Sequence, residues 1–215
     1  MPLAGCYVIS LRPVGAHASR RRSSAAQGAR VLALSPWRIE TQSDAATRRA
    51  LREALAADIV IATSPAAVRA ASALHALRKR HGQAWCAVGA GTAAALRRAG
   101  IDEVVSPSRM DSEGLLALPE LRSVRGREIG LLTAPGGRGL IAPTLRKRGA
   151  TVLRADVYRR AEVAISSVAL ARLRALHAKP WLALGSGEAL QRALIQLPAH
   201  LANKLRNADV AAAKI

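Results

Sequence analysis

The chain has 215 residues and carries 33 Lys and Arg against 14 Asp and Glu, a formal net charge of +19. Half of it is apolar, yet Phe is absent and Trp and Tyr number only three and two, so Ala, Leu and Val have to fill the interior. That scarcity argues against an aromatic platform for stacking bases. No apolar run approaches the ~20 residues that a membrane-spanning helix needs. The opening residues, with a short apolar run and no basic flank, do not read as a signal peptide, so a cytoplasmic protein is expected. A charge of this size draws polyanions and speeds their arrival, which favours nucleic acid, anionic lipid, or polycarboxylate and phosphate metabolites as partners. The basic residues are scattered as Arg48-Arg49, Arg97-Arg98 and Arg146-Lys147-Arg148 on predicted helices. Solvated helix faces are their plain reading and a binding stripe the alternative.

In chain order, short apolar runs alternate with longer amphipathic segments. Strands are expected over 6–11, 31–34, 58–62, 85–88, 103–105, 129–133, 151–157 and 181–184, and helices over 46–56, 65–80, 92–99, 140–148, 168–178 and 188–197. Such alternation predicts the α/β class, with parallel sheets covered by helices on both faces. Ser64 before Pro65 supplies a capping hydroxyl and a proline at the first helical position. Gly100, Gly126 and Gly149 stand where helices are expected to end. Cys6 and Cys86 each fall in a predicted strand and read as buried, reduced thiols without metal-ligand spacing.

Two extended stretches, 31–41 and 151–163, are too long and too polar at their ends for single buried strands. Each suits a strand that leaves one lobe for another, which would make a pair of antiparallel connectors. The domains expected are therefore lobe one at 1–35 plus 164–215, connectors at 36–41 and 156–163, and lobe two at 42–155. An internal echo accompanies this division: 59–74 and 181–197 share a strand, a serine-bearing turn and an Ala/Leu-rich helix. The strand to follow the second copy would be 208–215, and the helix beyond it is missing from this chain.

Four turns at predicted strand ends carry small residues before a helix, where free backbone N–H groups favour an anion. They are Thr63-Ser64-Pro65, Gly89-Ala90-Gly91-Thr92, Pro135-Gly136-Gly137-Arg138 and Gly185-Ser186-Gly187. Taken singly, each is ordinary loop chemistry; converging on one cleft, they would form a wall for carboxylates or phosphates. The run from Gly89 to Ala94 matches a dinucleotide fingerprint, but Asp111 lies beyond Pro107 in a helix cap rather than at the next strand's end, which argues against a nicotinamide site. His17, His75, His81, His177 and His200 have basic or apolar neighbours and read as solvated or half-buried imidazoles. No P-loop, nucleophile elbow, paired carboxylates or zinc-binding helix is present, so chemistry here would rest on positioning and charge stabilisation. Tyr158, at the end of the returning connector, is the best single candidate for a reactive group; a ring packed between lobes is the equal alternative.

In order along the chain, Arg12-Pro13, Thr63-Ser64-Pro65-Ala66-Ala67-Val68 and Val88-Gly89 with Thr92-Ala93 resemble the uroporphyrinogen-III synthase family. So do Asp111-Ser112-Glu113-Gly114-Leu115, Gly136-Gly137-Arg138, Val157-Tyr158-Arg159-Arg160 and Ser186-Gly187-Glu188-Ala189-Leu190. The resemblance implies two Rossmann-like parallel-sheet lobes joined by a two-stranded linker, with the active site in a cleft. It also implies a cofactor-independent lyase, a monomer that binds no specific nucleic acid and no membrane. Its substrate would be hydroxymethylbilane, a linear tetrapyrrole with eight carboxylates, which is cyclised with inversion of the last ring. By the same match, Tyr158 would assist departure of the substrate hydroxyl, while Ser64, Thr92 and Ser186 would hold the acetate and propionate arms. Arg12, Thr63, Gly89, Gly136, Gly137 and Gly187 would complete the binding set.

The chain departs from the family in three places. Ala66 or Ala67 stands where Asn is frequent, Gly185 replaces a usual Thr, and family members run on for some tens of residues past Ile215. A non-catalytic bilobal binder of small polyanions, and more remotely a basic nucleic-acid-binding protein, are the alternatives.

Overall fold

The computed structural model describes residues 3–136, 139–177, 180–185 and 187–211. Along the chain run β1 (Tyr7–Ser10), α1 (Ala18–Ala25), β2 (Arg30–Ala33), β3 (Trp37–Thr41), α2 (Ala45–Ala56), β4 (Ile59–Ala62), α3 (Pro65–Leu74) and β5 (Ala84–Ala87). They are followed by α4 (Ala90–Arg98), α5 (Ser112–Leu116), a 3-10 turn (Pro119–Leu121), β6 (Glu128–Thr133), α6 (Ile141–Lys147), β7 (Thr151–Asp156) and β8 (Tyr158–Glu162). The last elements are α7 (Ser167–Arg174), β9 (Trp181–Ala183), α8 (Gly187–Gln196), α9 (Ala199–Arg206) and β10 (Asp209–Ala211).

The chain divides into two compact units, Met1–Ile39 with Arg160–Ile215, and Glu40–Arg159. In the first unit the sheet order is β10-β9-β1-β2, with every pairing parallel. In the second it is β5-β4-β6-β7, again all parallel. Numbered within its own unit, each sheet therefore reads second, first, third, fourth. The strand order reverses between the first and third strands, which are β1 and β9 in one unit and β4 and β6 in the other. Open parallel sheets bind ligands outside the carboxyl ends of the strands at such a reversal. The topology also corrects the internal echo. The strand equivalent to β9 is β6, not β4, and β4 corresponds to β1.

Each sheet is buried by short aliphatic side chains. Ile9, Leu32, Leu182, Leu173, Leu201 and Leu205 centre the first core, and Ile59, Ile61, Ile129, Leu131, Leu115 and Leu145 the second. Gly130, in the middle of β6, permits a close helix–sheet approach: a Cβ there would lie 1.9 Å from the Ala54 carbonyl oxygen of α2. α2 begins on Asp44, whose carboxylate accepts from Thr47 N–H at 2.9 Å and from its hydroxyl at 2.8 Å.

β3 and β8 pair in a two-stranded sheet. Gln42 N–H donates to Val157 C=O at 3.0 Å, and Val163 N–H donates to Pro36 C=O at 3.1 Å, so the two strands run antiparallel. The two long extended stretches are thus each broken in two. Residues 34–36 separate β2 from β3, and Val157 separates β7 from β8.

Other expectations need correction. The strand at 103–105 is a single parallel bridge between Cys86 and Val105, since Ser106 and Pro107 follow and proline offers no donor to extend a ladder. The helix expected to reach residue 80 stops at Leu74, where His75 is extended at φ −155° before the like-charged run Arg78-Lys79-Arg80. The helix expected over 168–178 ends at Arg174, and Ala178 lies outside the described residues. α1 and α9 were not anticipated, whereas α5 starts on Asp111, where a helix cap was expected. Cys6 is half-buried just ahead of β1, whereas Cys86 is fully buried in β5, where burial pushes its thiol up to about 12.

Candidate active site

In the second unit the candidate residues gather where the strand order reverses. β4 ends at Ala62, and the chain turns through Thr63 and Ser64 into α3. Ser64 is extended (φ −162°, ψ 158°) and its Oγ accepts from Ala67 N–H at 3.1 Å, the cap expected from its place before Pro65. The same Oγ shares a 3.2 Å hydrogen bond with the Tyr158 hydroxyl, across 94 positions of sequence. Tyr158 opens β8 and is buried, at 3% exposure. Thr63 binds the neighbouring strand: its N–H donates to Leu132 C=O at 3.1 Å, and its hydroxyl donates to Leu132 C=O at 3.2 Å and to Thr133 Oγ1 at 3.1 Å. Thr133, not anticipated from sequence, thus joins the group; the partner of a strand-end threonine is set by sheet order, which no local pattern reveals.

The turn after β5 adjoins this group. A Cβ on Gly91 would lie 3.8 Å from Pro65 Cγ, so the heads of α3 and α4 stand side by side. α4 starts on extended Gly89 (φ −173°) with no side-chain cap, and buried Thr92 N–H donates to Gly89 C=O at 3.0 Å. Gly89 sits close beneath a neighbouring side chain. Its missing Cβ would meet Met110 Cβ at 3.0 Å, and Met110, 65% exposed, covers the turn. Asp111 has a local duty: it accepts from Gly114 N–H at 2.7 Å at the head of α5 and pairs with Arg109 at 2.5 Å, which raises the arginine above its ordinary value. A Cβ on Gly114 would fall 1.9 Å from the Arg109 carbonyl oxygen, which accounts for the glycine in that motif. After β6, Gly136 takes the left-handed φ of 85° in an exposed turn, and Gly137 lies outside the described residues. Two cavities open elsewhere in this unit. One of about 350 Å³ is lined by Pro107, Arg109 and Glu113, and one of about 470 Å³ by Arg52, Arg78 and Arg80.

Arg12 and Gly187 belong to the first unit. Arg12 is exposed two residues beyond β1, and Gly187 opens α8 with nothing within 4 Å of a notional side chain; Ser186 lies outside the described residues. At the β1 end sequence reading went astray. His17 is not solvated: it is 6% exposed, with Nδ1 sharing a 3.0 Å hydrogen bond with Ser10 Oγ and Nε2 a 2.7 Å bond with Ser35 Oγ. Burial, then the charges of Arg21 and Arg12, hold its pKa below the ordinary value. A neutral ring has one donor and one acceptor, so one serine accepts from it and the other donates. Residues 10, 17 and 35 carry no spacing signal that could have joined them. Among the described residues, no three of His, Cys, Asp and Glu cluster to hold a metal ion, and no helix is long and apolar enough to cross a membrane.

The family described as Uroporphyrinogen-III synthase HemD matches residues 21–213. The chain is 36% identical over 142 residues to the uroporphyrinogen-III synthase of Salmonella typhimurium, covering 63% of this chain and 56% of that protein. To that of Escherichia coli K12 it is 33% identical over 115 residues, covering 53% and 47%. It thus spans about half the length of the curated relatives it matches. A crystal structure of a mutant uroporphyrinogen III synthase from Thermus thermophilus superposes with a TM-score of 0.62 at 21% identity, covering 96% of this chain and 83% of that one. The enzyme from Helicobacter pylori 26695 gives a TM-score of 0.57 at 13% identity, with 96% and 92% covered, and both likenesses concern the fold alone. With the family matched over residues 21–213, which hold every strand of the two parallel sheets except β1, this chain belongs to the uroporphyrinogen-III synthase family.

Proposed function

We propose that the chain is a cytoplasmic uroporphyrinogen-III synthase, a monomeric lyase of tetrapyrrole and heme biosynthesis that cyclises hydroxymethylbilane without a cofactor. The observation that carries this reading is the Ser64–Tyr158 hydroxyl pair at the carboxyl edge of the second sheet, in a chain of this family. Each unit is read as a Rossmann-like lobe, on the strength of its parallel strands and their order. In the reaction the hydroxyl of the first ring departs as water, leaving an azafulvene. The substituted carbon of the last ring attacks to give a spiro intermediate, which fragments and recloses at the other carbon with loss of a proton. Tyr158 donates a hydrogen bond to the leaving oxygen, as its hydroxyl exchanges Ser64 for substrate. Ser64, Thr63 and Thr92, with the uncapped head of α4 and the turn at Gly136, receive carboxylate arms, and backbone donors of this kind stabilise anions without reorganising.

A non-catalytic binder of small polyanions is the second reading, favoured by the alanines at positions 66 and 67. Freshly made hydroxymethylbilane, followed by oxidation and chromatography, separates the two. Predominant type III porphyrin supports the synthase, whereas the type I product of the uncatalysed control refutes it. Binding without conversion would favour the second reading. DNA affinity that falls steeply with salt, without tetrapyrrole binding, would favour a nucleic-acid partner.

A further inference from the structure

The loop from Leu11 to Ala16 connects β1 to α1, and its two ends are fastened to each other by side chains. Ser10, the last residue of β1, and His17, the first beyond the loop, share the 3.0 Å bond. His17 then ties this closure to Ser35, beyond the end of β2, at 2.7 Å. The backbone adds two more stays: Val14 N–H donates to Trp37 C=O at 3.0 Å, and Ala16 N–H to Pro13 C=O at 2.9 Å. The loop carries Arg12, and α1 brings Arg20 and Arg21 nearby. Arg12 stands near enough to both His17 and Arg20 to act on each electrostatically. Arg20 is 9% exposed. Several arginines near a strand's carboxyl end add their potentials, which favours an anion entering there.

We propose that His17 is a positioning residue. By joining Ser10 to Ser35 it clasps the β1–α1 loop and holds Arg12 beside Arg20 and Arg21 as a subsite for a carboxylate of the ligand. The inference rests on the reading of the chain as a protein that binds a polycarboxylate, and it assigns His17 no contact with the reacting atoms. Both ring nitrogens are occupied by serine hydroxyls, so the imidazole acts through the loop.

The test is a double-mutant cycle between His17 and Arg12, read on two ligands. Benzenehexacarboxylate binding is measured by calorimetry, and KM and kcat are measured with hydroxymethylbilane. His17→Ala and Arg12→Ala should each weaken binding and raise KM by about fivefold or more, with kcat little changed, and the double variant should be no worse than Arg12→Ala alone. His17→Gln, whose amide keeps one donor and one acceptor, should restore affinity to within about twofold of the parent. Should His17→Ala fail to fold, Ser35→Ala releases one end of the clasp and takes its place in the cycle. Additive losses, an unchanged affinity, or a fall confined to kcat would each overturn the proposal. If the parent protein converts no hydroxymethylbilane while the benzenehexacarboxylate cycle shows coupling, the activity reading fails and the clasp stands.

Discussion

Ser64 serves two partners with one oxygen, capping α3 through Ala67 N–H and meeting the Tyr158 hydroxyl. Replacing Tyr158 by Phe removes the second contact and leaves the cap. Turnover of hydroxymethylbilane by Tyr158→Phe is therefore expected to fall at least several-fold with folding stability nearly retained, and an unchanged rate would remove Tyr158 from the mechanism. His17 yields a prediction of a different sort. Its unfolded value is 6.5 and its folded value is lower, with Arg12 and Arg21 facing it. Well above pH 6.5 both states are neutral and the residue adds no pH dependence. Below that, the unfolded chain gains a proton that the folded ring refuses, so stability falls with pH by up to about 1.4 kcal/mol per unit until the folded value is reached. Denaturant unfolding at about pH 7.5 and about pH 5 should show this loss, and His17→Gln should show less of it; parallel profiles would sink the argument. Ser64 was legible because a cap before proline is local chemistry. The Ser10–His17–Ser35 chain was not, because its members meet only after two strands lie side by side.

At the level of elements, each β-strand of the two parallel sheets announced itself as a short apolar run between breakers, and most boundaries fell within a residue or two of expectation. α1 did not, because Arg20, Arg21 and Arg22 interrupt its apolar period, and its buried face rests on Ser24 and Arg20. Gly130 shows the opposite case, a residue whose meaning lies entirely in packing. As a glycine within a strand it weakens the ladder, yet α2 lies so close that any side chain would displace backbone. Gly130→Ala is expected to destabilise the second unit by about 1–3 kcal/mol, measured by urea unfolding. A neutral result would mean that α2 can retreat from β6.

For the molecule as a whole, alternation of strand and helix was enough to anticipate two parallel sheets; the order of strands was not, since it is decided by which hydrophobic faces find each other in space. The second unit is one continuous stretch, with Glu40 and Arg159 paired at 2.7 Å beside the Gln42–Val157 hydrogen bond. Its ends are thus already joined. Residues 40–159 expressed alone should unfold in a single cooperative transition by circular dichroism, and a chain without such a transition would contradict that independence.

The antiparallel pair β3–β8 also dictates a timetable. Strands β1 and β2 leave the ribosome early, but their neighbour β9 is translated only after all of Glu40–Arg159. The middle of the chain can acquire its structure while the earlier strands still wait, as domains generally fold as units during synthesis. The half-made sheet then exposes the β1 edge for the whole of that interval, and Arg12, Arg20, Arg21 and Arg22 close by give the nascent segment a positive charge that discourages it from pairing with another copy of itself.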